Sequence, residues 1–325
     1  MFNTAKILVG DNRKTIATLE AGSVQTCITS PPYWGLRDYG QDDQIGLEQT
    51  PDEYVEQLCL VFDEVWRVLA DDGTLWLNLG DSYASFRDGK ATPDTTRGTS
   101  TGTLVPKGSA ANRMASSFVN TQIKHKDLVG IPWRVAFALQ SRGWYLRSEI
   151  IWHKPNPMPE SVTDRPTKSH EHIFLLTKSA KYFYDHEAIK EDALTEPAMR
   201  NKNAEGYQAD YAKGDRFSPG ERVFGADGKR NKRDVWTVPV QPYAGAHFAV
   251  YPPALIEPCV LAGSREGDTI LDPFSGSGTT GVVALRNGRN YVGTELNPEY
   301  AALSKQRIGD DCGMFGDVEV IGETD

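Results

Sequence analysis

The chain has 325 residues, of which 39% are hydrophobic and 24% charged, so it is long and apolar enough to bury one large globular core, or one core with a smaller appendage. No apolar stretch approaches the roughly 18 residues that a membrane-spanning helix needs, and the N-terminus lacks an apolar signal segment, so we expect a cytoplasmic protein. Its four cysteines form no C-x-x-C pair. Reduced thiols, mostly buried, are therefore expected instead of disulfides, and no metal site is predicted.

Charge is unevenly distributed along the chain. The net charge of −9 argues against a protein that coats nucleic acid, yet residues 84–126 carry seven Lys or Arg against two acidic residues. Localised basic charge on an acidic body is compatible with a DNA-facing edge. A solvated loop would have the same composition, so both interpretations of this segment stay open.

Two short apolar strands are predicted near the start of the chain, over residues 6–9 and 24–29. Asp11 follows the first one, and an acid just past a strand is a common ligand contact in an open α/β sheet. Capping of the following helix is the alternative role for Asp11. The second strand runs directly into Ser30-Pro31-Pro32-Tyr33, which makes this motif the first candidate site.

The Ser30-Pro31-Pro32-Tyr33 motif predicts a rigid turn that is rich in hydrogen-bond acceptors. The prolines fix the backbone and remove two N–H donors, so their carbonyls are expected to point outward beside the Ser30 hydroxyl and the Tyr33 ring. That combination suits a flat group carrying an NH2. A proline-stiffened turn packed by aromatic residues is the structural alternative.

Helices and strands alternate along the rest of the chain, which predicts an α/β fold. A capping box at Thr50–Glu53 starts a helix that is expected to end at Asp71-Asp72-Gly73. The further predicted elements are a strand over 74–79, a helix over 127–141, an antiparallel strand pair over 144–152 and 172–177, a helix over 253–262, a strand over 269–271, a helix ending near 287, a strand over 291–294, a helix over 298–308 and a loose acidic tail from 309.

A glycine-rich turn, residues 272–281, joins a strand to a helix near the end of the chain. It matches G-x-G-x-x-G, and Glu295 follows nineteen residues after the first glycine. An adenosine-type ligand fits this pattern, with its ribose on the carboxylate, whether the ligand is a nicotinamide cofactor or S-adenosylmethionine. Asp272 favours S-adenosylmethionine, because a carboxylate suits its cationic amino acid end and would repel a pyrophosphate. A Walker loop is excluded, since no lysine follows the glycines.

The Ser-Pro-Pro-Tyr run at residues 30–33 resembles the catalytic motif of amino-directed DNA methyltransferases, in the form of the cytosine-N4 branch. The run Asp-Pro-Phe-Ser-Gly-Ser-Gly-Thr-Thr resembles their cofactor motif, and the catalytic motif comes first, as in the β group. Weaker resemblances cover residues 73–83, 152–156, 169–172 and 247–252. The resemblance implies a Rossmann-like S-adenosylmethionine-dependent fold with permuted motif order, a mostly parallel sheet with an antiparallel strand pair, and two polar insertions.

The resemblance also implies a set of site residues. The implied catalytic residues are Ser30, Pro31, Pro32 and Tyr33; the cofactor-binding residues are Asp11, Asp272, Phe274, Gly276, Ser277, Gly278, Thr279 and Glu295; and the substrate-binding residues are Trp34, Arg37 and Lys154. An amine of a base that is flipped out of the duplex would donate to the Ser30 hydroxyl and the Pro31 carbonyl, and Tyr33, with Trp34, would stack on the base. No covalent enzyme intermediate is needed, so Cys27 is expected in the core.

Six segments follow from this interpretation. They are 1–83, the catalytic half; 84–126, a flexible basic insertion; 127–186, a continuation of the same domain; 187–233, a target-recognition insertion; 234–310, the cofactor-binding half; and 311–325, the acidic tail. The expected partner is double-stranded DNA, with a cognate restriction endonuclease, monomer and homodimer all left open. Adenine-N6 methylation, methylation of a protein amide and an inert nucleotide- or DNA-binding module are the alternative functions.

Overall fold

The computed structural model describes residues 3–41, 43–84, 123–193, 228–241, 251–313 and 316–322. Most of the basic insertion, most of the recognition insertion and the first residues of the 247–252 segment lie outside the described residues. The predictions for those stretches stay predictions. Among the described residues, no helix is long and apolar enough to cross a bilayer.

Eleven strands are described in chain order: β1 (Asn3–Val9), β2 (Val24–Thr29), β3 (Leu69–Leu79), β4 (Tyr145–His153), β5 (His170–Thr177), β6 (Glu191–Asp192), β7 (Lys229–Arg230), β8 (Val235–Thr237), β9 (Thr269–Asp272), β10 (Asn290–Glu295) and β11 (Gly316–Ile321). The helices are α1 (Asn12–Thr15), α2 (Pro51–Val68), α3 (Ile131–Ser141), α4 (Pro253–Gly263), α5 (Thr279–Arg286) and α6 (Pro298–Cys312).

Nine of these strands form one sheet in the order β11-β1-β10-β9-β2-β3-β5-β4-β8. Neighbours from β11 to β3 run parallel, whereas β5 is antiparallel to both β3 and β4. The predicted α/β fold, with a mostly parallel sheet and an antiparallel strand pair, is therefore confirmed. Strands β2 and β9, from opposite ends of the chain, pair directly through Thr26 with Ile270 and Cys27 with Leu271.

Helix α2 provides much of the core on one face of the sheet. Its capping box is present as predicted, since Thr50 Oγ1 accepts from the Glu53 amide at 3.2 Å and Glu53 Oε2 accepts from the Thr50 amide at 3.0 Å. Leu58, Phe62 and Val65 recur at helical spacing and are fully buried. They share one buried cluster with apolar side chains of β2, β3 and α3.

Several predicted boundaries are wrong, and β1 begins at Asn3 instead of residue 6. Helix α2 ends at Val68, and β3 begins at Leu69 and continues through the Asp71–Gly73 segment, where an irregularity shifts its register against β2. Helix α3 begins at Ile131 instead of residue 127. The expected loose tail forms the end of α6 and then β11, whose exposure alternates along the strand and which pairs with β1 over residues 3–8.

Asp81 explains where α3 begins. This residue follows β3, and its carboxylate accepts from the Gly130 amide at 3.0 Å and from the Ile131 amide at 3.0 Å. These N–H groups have no partner inside the helix, so a carboxylate there satisfies them and meets the positive end of the helix dipole. The polar residue at the end of β3 thus caps a helix from another part of the chain.

The residues His186–Arg233 form a second compact unit, and the nine-stranded sheet belongs to the first unit. Its described part contains β6 paired with β7 in antiparallel fashion. Arg230 and Arg233 both donate to Glu191 Oε1, at 3.0 and 2.9 Å. The segment predicted as a target-recognition insertion, 187–233, covers nearly the same residues as this unit, and its role in target recognition stays a prediction.

We expect Asp81→Ala to lower the free energy of unfolding by about 1–2 kcal/mol, because the first turn of α3 loses its cap. The matched control is Asp71→Ala, which removes a fully exposed carboxylate with a 3.5 Å ion pair to Lys178. That control should change stability by less than about 0.5 kcal/mol. Urea denaturation of the two variants measures the difference, and equal stability losses would contradict the capping role.

Candidate active site

The Ser30–Tyr33 motif, called the catalytic motif after its resemblance, and the glycine-rich turn meet at the carboxyl ends of the central strands β2 and β9. Both follow the carboxyl ends of neighbouring parallel strands, where sites of open α/β sheets lie. A hydrogen bond of 2.6 Å from Thr29 Oγ1 to Asp272 Oδ1 joins the two segments directly. Two motifs that are 243 residues apart in sequence are thus one site in the structure.

Asp272 is a buried anchor of the turn. It is 2% exposed, and besides Thr29 it accepts from Thr280 Oγ1 at 2.6 Å, from the Tyr251 hydroxyl at 3.2 Å and from the Phe274 amide at 3.0 Å. Burial raises the pKa of this carboxyl above its ordinary value, although these hydrogen bonds oppose the rise. The structure therefore gives its oxygens internal partners, where the sequence predicts a contact with the cofactor.

The side chains of Ser277 and Thr279 face helix α6. Both are at least 97% buried, and Arg307 Nη1 donates to Ser277 Oγ and to Thr279 Oγ1, each at 2.8 Å. Gly278 lies between them with φ +75°, and a Cβ there would collide with Ser304 Oγ. These side chains hold the turn in place, so any contact they make with a ligand would come through their backbone.

Glu295 lies beside the turn at the end of β10. Its Oε2 accepts from the Gly276 amide at 2.8 Å, and its Oε1 accepts from the Asn297 amide at 2.9 Å. Burial raises the pKa of this carboxyl to about 7. A carboxylate fixed beside a glycine-rich turn is where a ribose would be held, as the spacing in the sequence predicts.

Asp11 has the capping role that the sequence leaves open. Its Oδ1 accepts from the Arg13 amide at 3.0 Å, at the start of α1, and from Arg13 Nε at 2.8 Å. Burial raises the pKa of Asp11, but the hydrogen bonds and charge of Arg13 outweigh burial and leave this pKa below its ordinary value. The next residue, Asn12, donates from Nδ2 to the Pro273 carbonyl at 3.0 Å, which places Asp11 at the border of the turn.

The two prolines of the catalytic motif have different surroundings. The Pro32 carbonyl accepts from the hydroxyl of the buried Tyr54 at 2.8 Å, so it does not point outward as the sequence predicts. No such donor is found for the Pro31 carbonyl among the described residues. Only Pro31 therefore keeps the acceptor role that the motif suggests for both carbonyls.

Trp34 belongs to the core, and its predicted role as a stacking surface is corrected. It is 4% exposed, its indole N–H donates to the Glu48 carbonyl at 3.0 Å, and it packs in the cluster around α2. Arg37 is partly exposed in the loop after the motif, where its carbonyl accepts from Gln44 Nε2 at 3.2 Å.

Tyr33 is held by a polar cluster that includes two residues not predicted from the sequence, Asn78 and Glu171. Its hydroxyl donates to Glu171 Oε2 at 2.6 Å and accepts from Asn78 Nδ2 at 3.0 Å, and Ser30 Oγ lies 3.5 Å away. A Cβ at Gly80 would come 2.5 Å from Cε2 of Tyr33, so the ring packs directly on the backbone there. Burial and the charge of Glu171 raise the pKa of Tyr33 well above its ordinary value, which keeps its proton in place.

Lys154 lies in the same cluster, as an ion-pair partner of Glu171. Asn78 Nδ2 also donates to Ser30 Oγ at 3.3 Å, while Asn78 Oδ1 is buried without a partner among the described residues. No pattern pointed to Asn78, because it sits within the apolar run of β3. Glu171 could have been found, since it lies in the 169–172 segment that resembles a family motif.

Cys27 is part of the core, as predicted. It is fully buried under the site, and burial raises the pKa of its thiol well above the ordinary value. Cys59 and Cys259 are buried as well, and Cys312 is partly exposed. Within the described ranges, no group of three or more His, Cys, Asp or Glu side chains could hold a metal ion.

The fold and the joined motifs define a Rossmann-like methyltransferase. The family described as DNA methylase, of the N6/N4 type, matches residues 24–306. The chain is 47% identical over 316 residues to the Type II methyltransferase M.Cfr9I of Citrobacter freundii, covering 97% of this chain and 91% of that protein. It is 48% identical over 311 residues to M.SmaI of Serratia marcescens, covering 94% and 91%.

The fold also matches solved structures. The putative DNA modification methylase TTHA0409 of Thermus thermophilus, in complex with S-adenosylmethionine, superposes with a TM-score of 0.59 at 24% identity, over 98% of this chain and 99% of that one. The chain belongs to the N6/N4 DNA methylase family, which confirms the family predicted from its two motifs. Enzymes of this family use S-adenosylmethionine, so the predicted cofactor is confirmed as well.

We expect Asp272→Asn to lower the free energy of unfolding by about 1–3 kcal/mol, because the new NH2 group would face donors that now meet a carboxylate oxygen. Asp268→Asn is the control, since that carboxylate accepts from the Arg265 amide in an exposed turn. Urea denaturation without cofactor measures both. A stable Asp272→Asn protein with impaired cofactor binding would show that Asp272 acts on the ligand instead.

Proposed function

We propose that this protein methylates the exocyclic N4 amine of a cytosine flipped out of double-stranded DNA. The single observation that carries the proposal is the direct junction of Ser30-Pro31-Pro32-Tyr33 with the cofactor turn through Thr29 and Asp272. It brings a hydroxyl and a proline carbonyl next to the place where the methyl donor is held. The names of its relatives, Type II methyltransferases, support a modification role paired with a restriction endonuclease.

The described residues fit S-adenosylmethionine. The turn has two glycines in the left-handed region, Gly276 and Gly278, and no room for a Cβ at the second. Glu295 beside it offers a carboxylate for ribose hydroxyls, and Asp11 lies at the border of the turn, next to Asn12. When bound there, the cofactor supplies a methyl group on a positively charged sulfur.

Ser30 and Pro31 activate the amine. The lone pair of an exocyclic amine is delocalised into its ring, which makes the nitrogen a poor nucleophile. Hydrogen bonds from its two N–H groups to Ser30 Oγ and the Pro31 carbonyl favour a pyramidal nitrogen, whose lone pair then points at the methyl group. Each such bond contributes about 1.5–3 kcal/mol as positive charge develops on the nitrogen, and alignment contributes more.

Tyr33 provides the surface for the flipped base. It is partly exposed, its ring packs on Gly80, and its hydroxyl is fixed by Glu171 and Asn78, so it loses little freedom when a base stacks on it. Base flipping costs a few kcal/mol of stacking and pairing, which such a preformed surface partly restores. Trp34 takes no part in this proposal, because it is buried.

The choice of cytosine rests on Ser30. A serine at the first position of the motif is the form that resembles the cytosine-N4 branch, whereas adenine-N6 methylation would use the same geometry with a different base. The target atom is measured by sequencing DNA from cells that express the protein, with a method that distinguishes N4-methylcytosine from N6-methyladenine. Detection of N6-methyladenine alone would replace cytosine by adenine, and no methylation of any DNA would contradict the proposal altogether.

Ser30→Ala should lower the single-turnover methylation rate by at least about tenfold, the effect of one lost hydrogen bond to a charged nitrogen. Cofactor affinity should stay within about twofold, because Ser30 is outside the glycine-rich turn. Labelled methyl transfer and calorimetry with S-adenosylmethionine measure the two quantities. Ser23→Ala, at a serine that donates to the Glu20 carbonyl on the surface, is the control. Equal losses of rate and affinity in Ser30→Ala would count against the acceptor role.

Cofactor affinity should fall as the pH is lowered below about 7, the pKa of Glu295. Ribose hydroxyls donate to the ionised carboxylate, so binding lowers this pKa and releases a proton when the free protein is protonated. Affinity is therefore complete above pH 7 and decreases by up to about tenfold per pH unit below it. Calorimetry at about one pH unit below, at and above this pKa measures the dependence.

Glu295→Gln should bind the cofactor more weakly above the pKa of the native carboxyl and lose the pH dependence, because the amide does not titrate in this range. Glu299→Gln, at an exposed residue of the first turn of α6, is the control and should keep the slope of the native protein. An unchanged slope in Glu295→Gln would assign the titration to another group.

A further inference from the structure

A largely buried ion pair lies next to Tyr33 of the catalytic motif. Lys154 Nζ pairs with Glu171 Oε1, and the two side chains are 18% and 13% exposed. The same ammonium lies 4.2 Å from the centre of the Trp152 ring. The desolvation of two charges offsets much of their attraction, so a buried pair is weak evidence for stability, and its location calls for a functional reason.

The other carboxylate oxygen of Glu171 is directed at the catalytic motif. Oε2 accepts from the Tyr33 hydroxyl at 2.6 Å and from Asn78 Nδ2 at 3.0 Å. Burial raises the pKa of Glu171, but the charge of Lys154 and the hydrogen bonds lower it by more. The pKa of Glu171 is therefore below its ordinary value, and the group is ionised at neutral pH. An ionised carboxylate only accepts, so the Tyr33 proton is committed to Glu171.

This commitment sets the direction of the next hydroxyl. With its proton on the Glu171 side, the Tyr33 oxygen presents only lone pairs to Ser30 Oγ, 3.5 Å away. The Ser30 proton therefore turns toward Tyr33, and the two Ser30 lone pairs are left for donors. Asn78 Nδ2 lies 3.3 Å from Ser30 Oγ and can share a hydrogen with one of them, although its two N–H groups are closer to the Tyr33 hydroxyl and Glu171 Oε2, each at 3.0 Å. The other is available to a donor that enters the site.

We propose that Glu171, held by Lys154, is a positioning residue that orients the hydroxyl protons of Tyr33 and Ser30 so that Ser30 presents an acceptor to the amine of the target base. This inference rests on the proposed function, because it concerns how the same amine is bound. Glu171 touches neither base nor cofactor and acts through Tyr33. Its partner Lys154 thus acts on the site by holding Glu171, whereas the sequence predicts that Lys154 contacts the substrate.

An amide at position 171 would remove this direction. Glutamine can turn its NH2 group toward the Tyr33 oxygen, and the Tyr33 proton can then point at Ser30 Oγ. The Ser30 proton would be displaced toward the entering amine. The Ser30 O–H group and an N–H group of the amine, both donors, would then face each other and could not form a hydrogen bond. Glu171→Gln keeps the size of the side chain and changes mainly this polarity.

The test is a double-mutant cycle of Glu171→Gln with Tyr33→Phe, read as single-turnover methyl transfer to DNA. Each single variant should be slower by at least about tenfold, with the cofactor dissociation constant within about twofold of the native value. The double variant should be no slower than the slower single one, because Glu171 acts through the Tyr33 hydroxyl. Losses that multiply in the double variant would overturn the proposal.

A second variant separates positioning from stability. Glu171→Gln alone leaves Lys154 buried without its partner, whereas Glu171→Gln combined with Lys154→Met removes both charges. The combined variant should unfold at a temperature near that of the native protein and still methylate slowly. A native rate in the combined variant would show that the ion pair has only a structural role, and would overturn the proposal.

Glu149→Gln is the matched control on the neighbouring strand. Glu149 Oε1 pairs with His172 Nδ1 at 2.6 Å, outside the cluster around Tyr33. Its rate should stay within about twofold of the native rate. Failure of the inference and failure of the proposed function are distinguishable. If the native protein methylates no DNA, the proposed function is contradicted. If the native protein and the Glu171→Gln variant methylate DNA at the same rate, only the inference about Glu171 is contradicted.

Discussion

The hydrogen bond between Thr29 and Asp272 is the contact on which the site depends. It joins the last residue of β2 to the last residue of β9, and it is possible only because these parallel strands are neighbours in the sheet. Asp272 in turn holds the turn through Thr280 and the Phe274 amide. The segment proposed to bind the base and the segment proposed to bind the cofactor are thereby fixed relative to each other by one buried carboxylate.

The sequence was sufficient for the fold class and for the two segments that form the site. Motifs such as Ser30–Tyr33 and 272–281 are local, so their chemistry can be predicted from adjacent residues. What a residue meets across the sheet cannot be predicted in that way. The sequence predicts a stacking surface at Trp34, which is buried in the core, and nothing near Asp81 in the sequence indicates that it caps α3, whose Ile131 lies 50 residues further along the chain.

Asn78 and Glu171 are the opposite case, because they lie in the candidate site although the sequence does not predict them there. One is an isolated polar residue in an apolar strand, and the other lies on a strand whose antiparallel pairing with β3 brings it to the motif. Neither has a spacing that predicts contact with Tyr33. The register of β3 against β5 creates that contact, and the register depends on long-range packing. Strand β11 was missed for a similar reason, since its short alternating pattern is stable only against β1.

The pairing of β2 with β9 has a consequence for how the protein acquires activity. Contacts between residues so far apart in sequence close large loops, and the entropy of that closure slows folding. During synthesis, strand β9 and the turn after it leave the ribosome only when most of the chain has been made. An incomplete chain can therefore carry the whole Ser30–Tyr33 motif and still lack the glycine-rich turn. Only a chain that includes β9 can close the sheet and bring the two motifs together.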